Sequence, residues 1–308
     1  MTSRIPVYII PSNSRQAGNG PDEGGCALSK IAVVTDSVAC IPPDLVKRYD
    51  IHVAPVQIIW DRVTYRDGID LSPAEFYARL RTARELPTTS SAIQGEFLTI
   101  FENLRGKVDG IVAIVLTGAL GAAYSSASNA KEMVSDVPTE VIDTSQAMMA
   151  QGFIVLEAAR VAAAGGTMAE VIKAARDMLP RVHMIWAMDT LEYLRRGGRV
   201  SMPQALIAGW LNVKPIVGLV EGKVAPLARA RSRPKAQAKL IELMAERVGT
   251  EKSVHVTVMH GDVPNEAEKL KKMVTDRFQC TELLTSAITP VIGTHTGPGT
   301  LGLAFYRD

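Results

Sequence analysis

One histidine, His295, stands in the stretch Val291-Ile292-Gly293-Thr294-His295-Thr296-Gly297-Pro298-Gly299-Thr300, a glycine-rich turn just ahead of the last apolar strand. A backbone rich in glycine can approach a ligand closely, and an imidazole can donate a hydrogen bond to an anionic oxygen. Two other segments have residue types suited to the same work. Thr88-Thr89-Ser90-Ser91 sets four hydroxyls after Pro87 and ahead of a helix carrying Glu96 and Phe97. Hydroxyls together with free helix N–H groups suit an anion such as a carboxylate. Thr117-Gly118-Ala119-Leu120-Gly121-Ala122-Ala123 leaves an apolar strand through small residues, so that backbone donors can face a ligand at the positive end of the next helix. Each segment also has a plainer reading: a tight turn with its histidine facing water, ordinary N-capping, and a strand-to-helix turn packed on a neighbour.

The elements that must position these loops are read from periodicity. Ile31 to Val34 is a short buried strand running into Thr35-Asp36-Ser37, followed by a helix at Pro42 to Val46 and a strand from His52 to Ile59. Ser72 and Pro73 open a helix to Arg81. Helices at Gln94 to Leu104, Ala122 to Val134, Ala147 to Ala164 and Thr167 to Leu179 alternate with strands at Gly110 to Leu116 and Glu140 to Ile142, a βα series with a parallel sheet. Beyond Arg181 the pattern changes. A strand at Val182 to Met188, a helix at Pro203 to Gly209, a hairpin turning at Glu221-Gly222, helices at Pro234 to Val248 and Pro264 to Phe278, and strands at Val254 to Met259 and Thr281 to Leu284 give a second α/β region with a mixed sheet. The expected division is a flexible extension at 1–29, a parallel-sheet α/β/α domain at 30–180 and a smaller mixed-sheet α/β domain at 181–308, with the ligand between the two domains.

Bulk properties narrow the function classes. A chain of 308 residues, 47% of them hydrophobic, can bury a large core. A net charge of +2, with both signs scattered, gives no field to attract nucleic acid. Cys26, Cys40 and Cys280 are odd in number and widely spaced, so neither a disulfide framework nor a zinc site is indicated, which suits the cytoplasm. No apolar run reaches the ~18 residues of a membrane span, so no stable membrane insertion is expected. Neither GxxxxGK[ST] nor a GxGxxG after the first strand occurs, so no ATP or dinucleotide cofactor is expected on this chain.

Taken in order, Thr35-Asp36-Ser37, Tyr65-Arg66-Asp67-Gly68, Pro87-Thr88-Thr89-Ser90 with Gly95-Glu96-Phe97, Leu120 with Tyr124, Ile142-Asp143-Thr144, Gly197-Gly198-Arg199-Val200-Ser201, Lys214-Pro215-Ile216 and His295-Thr296-Gly297-Pro298-Gly299 resemble the DegV family, bacterial fatty-acid-binding proteins that act with a fatty acid kinase. The match runs from about Ile31 to Phe305. The resemblance implies a two-domain α/β fold holding a long-chain fatty acid between the domains. It also implies that Thr89 and His295 hold the carboxylate. The family's serine in Leu-Ser-Gly-Thr-Tyr falls where this chain reads Leu120-Gly121-Ala122-Ala123-Tyr124, so one side-chain donor is missing. Thr117, backbone N–H groups or a water can stand in for it, or the head group differs from a simple carboxylate. The candidate carboxylate positions are therefore Thr89, Ser90, Thr117, Gly121, Ala122, His295 and Thr296.

Arg199 and Arg231 match positions where the family keeps arginines, and guanidinium groups suit phosphate and acidic partner surfaces; a solvated basic turn is the plainer reading of Arg229 to Lys235. Asp36 and Asp67 are read as a turn-capping residue and a turn residue, with no metal site. By resemblance the chain is a lipid carrier, not an enzyme. A separate ATP-dependent kinase phosphorylates the presented carboxylate, and the acyl phosphate passes to an acyltransferase in phospholipid synthesis. Two other classes stay open: a small-substrate kinase subunit of the dihydroxyacetone-kinase type, and a lipid-sensing regulatory module.

Overall fold

The structure, a computed structural model, describes residues 30–90, 93–199, 210 and 213–308. The helix expected at Pro203 to Gly209, Cys26 and the extension at 1–29 lie outside the described residues. Strand β1 (Ile31–Asp36) is buried along its whole length, as a strand covered on both faces must be. It pairs in parallel with β2 (His52–Ala54) and β6 (Gly110–Val115), and β6 pairs in parallel with β7 (Thr139–Asp143), giving the order β2-β1-β6-β7. Helices α1 (Pro43–Arg48), α3 (Gln94–Leu104), α4 (Ala123–Met133), α5 (Met148–Ala163) and α6 (Met168–Met178) supply the connections. Thr167 and Glu170 close a capping box at the start of α6, and Ser72 and Glu75 do the same for α2 (Pro73–Leu80).

The strand expected from His52 to Ile59 is two strands in two sheets. Pro55 supplies no N–H and interrupts the ladder after Ala54. The chain resumes as β3 (Gln57–Trp60), which pairs antiparallel with β4 (Val63–Arg66) and β5 (Thr88–Ser90) in a small third sheet that periodicity does not reveal. The β3–β4 turn has two central residues, Asp61 and Arg62, both at positive φ (51° and 64°). That is the geometry of a type I′ hairpin made without the glycine that would have advertised it.

The second large sheet has the order β10-β9-β8-β13-β11-β12, with β8 (His183–Ala187), β9 (Lys214–Val220), β10 (Lys223–Ala230), β11 (Val254–His260), β12 (Cys280–Ala287) and β13 (Leu301–Arg307). Its one parallel pair is β11 with β12; the remaining neighbours run antiparallel, so it is mixed as expected. The expected hairpin at Glu221-Gly222 joins β9 to β10, with φ of 50° and 74° at its two turn residues. Helices α8 (Arg233–Val248) and α9 (Pro264–Thr275) cover one face of this sheet. The other face meets α5, which packs on β1 and β6 on one side and on β8 and β13 on the other. Burial on both sides explains why α5 carries apolar residues all round. Gly152 permits the close approach, since a Cβ there would lie 2.9 Å from the Ala39 carbonyl oxygen.

Candidate functional site

Two short helices complete the contact between the sheets: α7 (Glu192–Arg196) and α10 (Pro290–Thr296). The second of these corrects the sequence reading of a turn around His295. Pro290 opens α10 at its first helical position, His295 lies in the last turn of the helix, and the chain leaves it at Gly297 with φ +74°. Although α10 follows the second sheet's β12, it packs against α2, α7, β3 and β5. Its first turn is held from across the interface by Asp67, whose carboxylate accepts from Val291 N at 3.1 Å.

Strand alternation selects which hydroxyl of Thr88-Thr89-Ser90 faces α10. The Thr89 Oγ1 is 2.8 Å from His295 Nε2, while Ser90, next along the strand, points to the opposite face. Burial and the nearby charge of Arg199 push the His295 pKa down to about 4, so the ring is neutral at pH 7. A neutral ring protonated on Nε2 donates to Thr89 Oγ1 and leaves the threonine proton free to point at a ligand oxygen. The ring is wedged from behind: a Cβ on Gly197 would sit 2.2 Å from His295 Nδ1, and a Cβ on Gly297 would sit 2.3 Å from Tyr193 Cδ2. The Gly197-Gly198-Arg199 and His295-Thr296-Gly297 motifs are thus one packed unit.

Arg199, expected on the phosphate or partner side, lies on the wall of the cavity beside this unit. Its Nη1 donates to the Gly197 carbonyl at 2.6 Å and its Nε to the Leu120 carbonyl at 3.3 Å. Thr89, Gly121, His295 and Thr296 line the same cavity. The Thr296 hydroxyl is already donated to Ile292 O at 3.1 Å, so that residue contributes wall more than anchor. The remaining lining is apolar, from Val38, Val56, Leu116, Met148, Trp186, Leu194, Val224, Val291 and their neighbours.

Three expected positions stand outside this lining. Ser90 faces away along β5. Ala122 is the exposed residue just before α4. Thr117, considered as a substitute for the missing serine, is buried beneath the β9–β10 hairpin tip, where a Cβ on Gly222 would come within 2.3 Å of its Oγ1; that hydroxyl accepts from Ala119 N at 3.3 Å. Arg231 is exposed at the far end of β10. The eight residues of that strand put it roughly 25 Å from the hairpin tip that covers Thr117.

The sequence reading missed two supports. Arg233, in the same basic run as Arg231, donates from Nη1 to the Gly299 carbonyl at 2.8 Å and from Nη2 to Asp189 at 2.8 and 2.9 Å; Lys214 also donates to Asp189 at 2.8 Å. This bidentate clamp holds the Gly-Pro-Gly exit from α10. Only the density of arginines hinted at it. Asp36 and Asp67 are both almost wholly buried, and desolvation raises their pKa values to about 6 and about 7. Asp36 does cap the turn after β1, accepting from Val38 N at 3.0 Å, and also accepts from Leu116 N at 2.8 Å.

Two larger grooves exist elsewhere among the described residues: one of about 480 Å³ at the end of β1, lined by Asp36, Asp67 and Thr289 and apart from His295, and one of about 690 Å³ lined by Lys30, His52 and Lys107 at the start of β1. Open parallel sheets hold ligands at the opposite, carboxyl ends of their strands. The cavity by His295 is at that end, since it is lined by Leu116 directly after β6. No group of three or more metal-ligating side chains occurs among the described residues, and no described helix is long and apolar enough to cross a membrane.

Residues 30–308 match the family model described as DegV, an uncharacterised protein family. A DegV domain-containing protein of Caldanaerobacter subterraneus subsp. tengcongensis is 36% identical over 278 residues, covering 90% of this chain and 99% of that one. Among solved structures, DegV of Bacillus subtilis, described as a fatty acid binding protein, superposes with a TM-score of 0.83 at 33% identity, covering 91% of this chain and 100% of that one. A fatty-acid-binding DegV family protein from Thermus thermophilus superposes with a TM-score of 0.84 at 27% identity, with the same coverage.

Proposed function

This chain belongs to the DegV family, and from that membership and the site geometry we propose that it binds a long-chain fatty acid between its two large sheets. The carboxylate sits by Thr89, His295 and Arg199. The observation that carries this reading is the pairing of an apolar cavity with that one polar corner. Transfer of about 14 methylenes at about 0.8 kcal/mol each amounts to a gross term of roughly 11 kcal/mol before ordering costs. A hydrogen bond to a charged group contributes only about 1.5–3 kcal/mol. The tail supplies most of the affinity, and the polar corner sets which end of the ligand faces out.

Arg199 gives the polar corner a charged contact beside Gly121. Its guanidinium borders the same wall, anchored through Leu120 O, and supplies a positive charge where the neutral His295 supplies none. The cavity is narrow, about 70 Å³. An apolar cavity of roughly 150 Å³ takes up a benzene, so in this smaller one a long tail enters only as side chains part. Met148, unbranched and on the wall, is the residue best able to yield.

The bound carboxylate is then presented to a separate ATP-dependent fatty acid kinase, which converts it to an acyl phosphate for delivery to an acyltransferase of phospholipid synthesis. This part of the reading rests on the family resemblance. On it the chain itself carries out no turnover, and Arg231, exposed and remote from the cavity, serves the partner.

Native mass spectrometry of the purified protein, followed by denaturing extraction, tests the first part. A stoichiometric long-chain fatty acid is expected. A protein that arrives empty and takes up no added fatty acid would overturn it. The second part is tested by adding ATP and a fatty acid kinase from a DegV-bearing bacterium and trapping acyl phosphate with hydroxylamine; no hydroxamate from a lipid-loaded protein would favour a lipid sensor instead.

A further inference from the structure

Trp186 lies on β8, on the face of the second large sheet that meets α5 and the cavity. Its partners on that face are apolar: Val217 pairs with it directly from β9, and Met184 and Ala304 flank it. The residue is only 2% exposed, yet its Nε1 finds no acceptor among the described residues. An indole N–H is a donor only, and a buried donor usually finds a partner. A phenylalanine would fill much of the same space with no such penalty. The polar corner has other occupants: Thr89 and His295 engage each other, and Arg199 is tied to Gly197 and Leu120. Trp186 therefore borders the cavity with a single unpaired donor sealed just behind its lining, within reach of a tail only as the side chains part.

We propose that Trp186 is a specificity-determining residue for an acyl chain carrying an oxygen partway along its length, a hydroxyl or keto group that accepts from Nε1. The inference rests on the reading of this cavity as a fatty acid site and adds the chemical class of the tail. An oxygenated tail carries its polar group into the protein only if a donor meets it there, and a plain tail leaves the indole unpaired. Discrimination thus comes from both sides of one bond. Selectivity depends on position along the chain, because the carboxylate is held at the other end and the distance to Nε1 is set by the walls.

The test is competition of a fluorescent fatty acid by stearate and by a series of positional hydroxystearates and ketostearates. Wild-type protein is expected to bind one positional isomer roughly 3- to 10-fold tighter than stearate, the range one net hydrogen bond supports. In Trp186→Phe the ratio of the two affinities falls to one. Overlap of every isomer with stearate in the wild type, or an isomer preference that survives Trp186→Phe, overturns the proposal. Should the variant fail to fold, the wild-type Trp186 indole N–H resonance decides the matter: it moves downfield with the preferred isomer and not with stearate, and equal positions with both overturn the proposal. If stearate itself does not compete, the fatty acid reading of the cavity fails first, and this inference with it.

Discussion

Gly197→Ala is the sharpest perturbation the site offers. A Cβ at this position would lie 2.2 Å from His295 Nδ1 and 2.9 Å from its Cε1, where ordinary contact is 3.4–4 Å. The ring must therefore recede by more than an ångström, further than a 2.8 Å hydrogen bond to Thr89 can follow. Overpacking of this kind costs about 1–3 kcal/mol, a fall of a few degrees in Tm for a chain of this size. The neighbouring Gly198→Ala is the control. It has nothing within 4 Å of its Cβ and differs only in its φ of +67°, so its cost is about 1 kcal/mol of backbone strain. The assay compares the Kd for a fatty acid with that for its methyl ester, alongside thermal melts. Gly197→Ala should lower the Tm and shrink the preference for the acid about tenfold, one lost charge-assisted hydrogen bond. Gly198→Ala should leave that preference in place. Equal acid-to-ester ratios in wild type and Gly197→Ala would refute the coupling of the glycine, the imidazole and the carboxylate.

Gly121→Ser restores a hydroxyl at a cavity-lining position and should be tolerated, tightening acid over ester by up to about 1.5 kcal/mol; a collapse in lipid binding, measured by the same competition, would mean the loop follows a different path. Arg231→Glu should cut the hydroxamate yield in the kinase-coupled assay while lipid content by mass spectrometry stays at one per chain, because Arg231 is exposed and off the cavity. Equal loss of lipid would make it a structural residue. Asp67 titrates near 7 in the fold against an ordinary 3.8, so the folded chain binds its proton more tightly. The stability it contributes is complete below about pH 4 and drains away as pH rises through 7. Asp67→Asn, which cannot lose that proton, should fall less in Tm than wild type between about pH 4 and 7.5. Parallel Tm curves would show that Asp67 keeps its ordinary pKa.

Local patterning makes much of the architecture legible because it is written in periodicity and caps. The all-apolar β1 and β6, the Ser72 box before α2 and the Glu221-Gly222 hairpin each carry their own signal in a few consecutive residues. The third sheet does not. Its β3–β4 turn uses Asp61-Arg62 at positive φ, and β5 is three hydroxyl residues whose pairing is supplied by a strand about thirty positions earlier. Helix α10 was hidden for a similar reason, since the glycines around His295 depress helix propensity and only packing on α2 and α7 overrides it.

The candidate site divides along the same line. The sequence by itself determined the residue types that can bind a carboxylate, Thr89 and His295 among them, and the absence of a side chain at Gly121. Types and spacing along one chain hold no information about which of several hydroxyls shares a wall with a histidine 206 positions away. Tertiary structure alone decided that Thr89 meets the imidazole while Thr117 lies under a hairpin, that Arg199 borders the cavity while Arg231 does not, and that Arg233 and Asp67 hold the two ends of α10. The physical reason is that strand register and the docking of two sheets on α5 are collective results of burial, and a hydrogen bond across that interface exists only once the burial is complete.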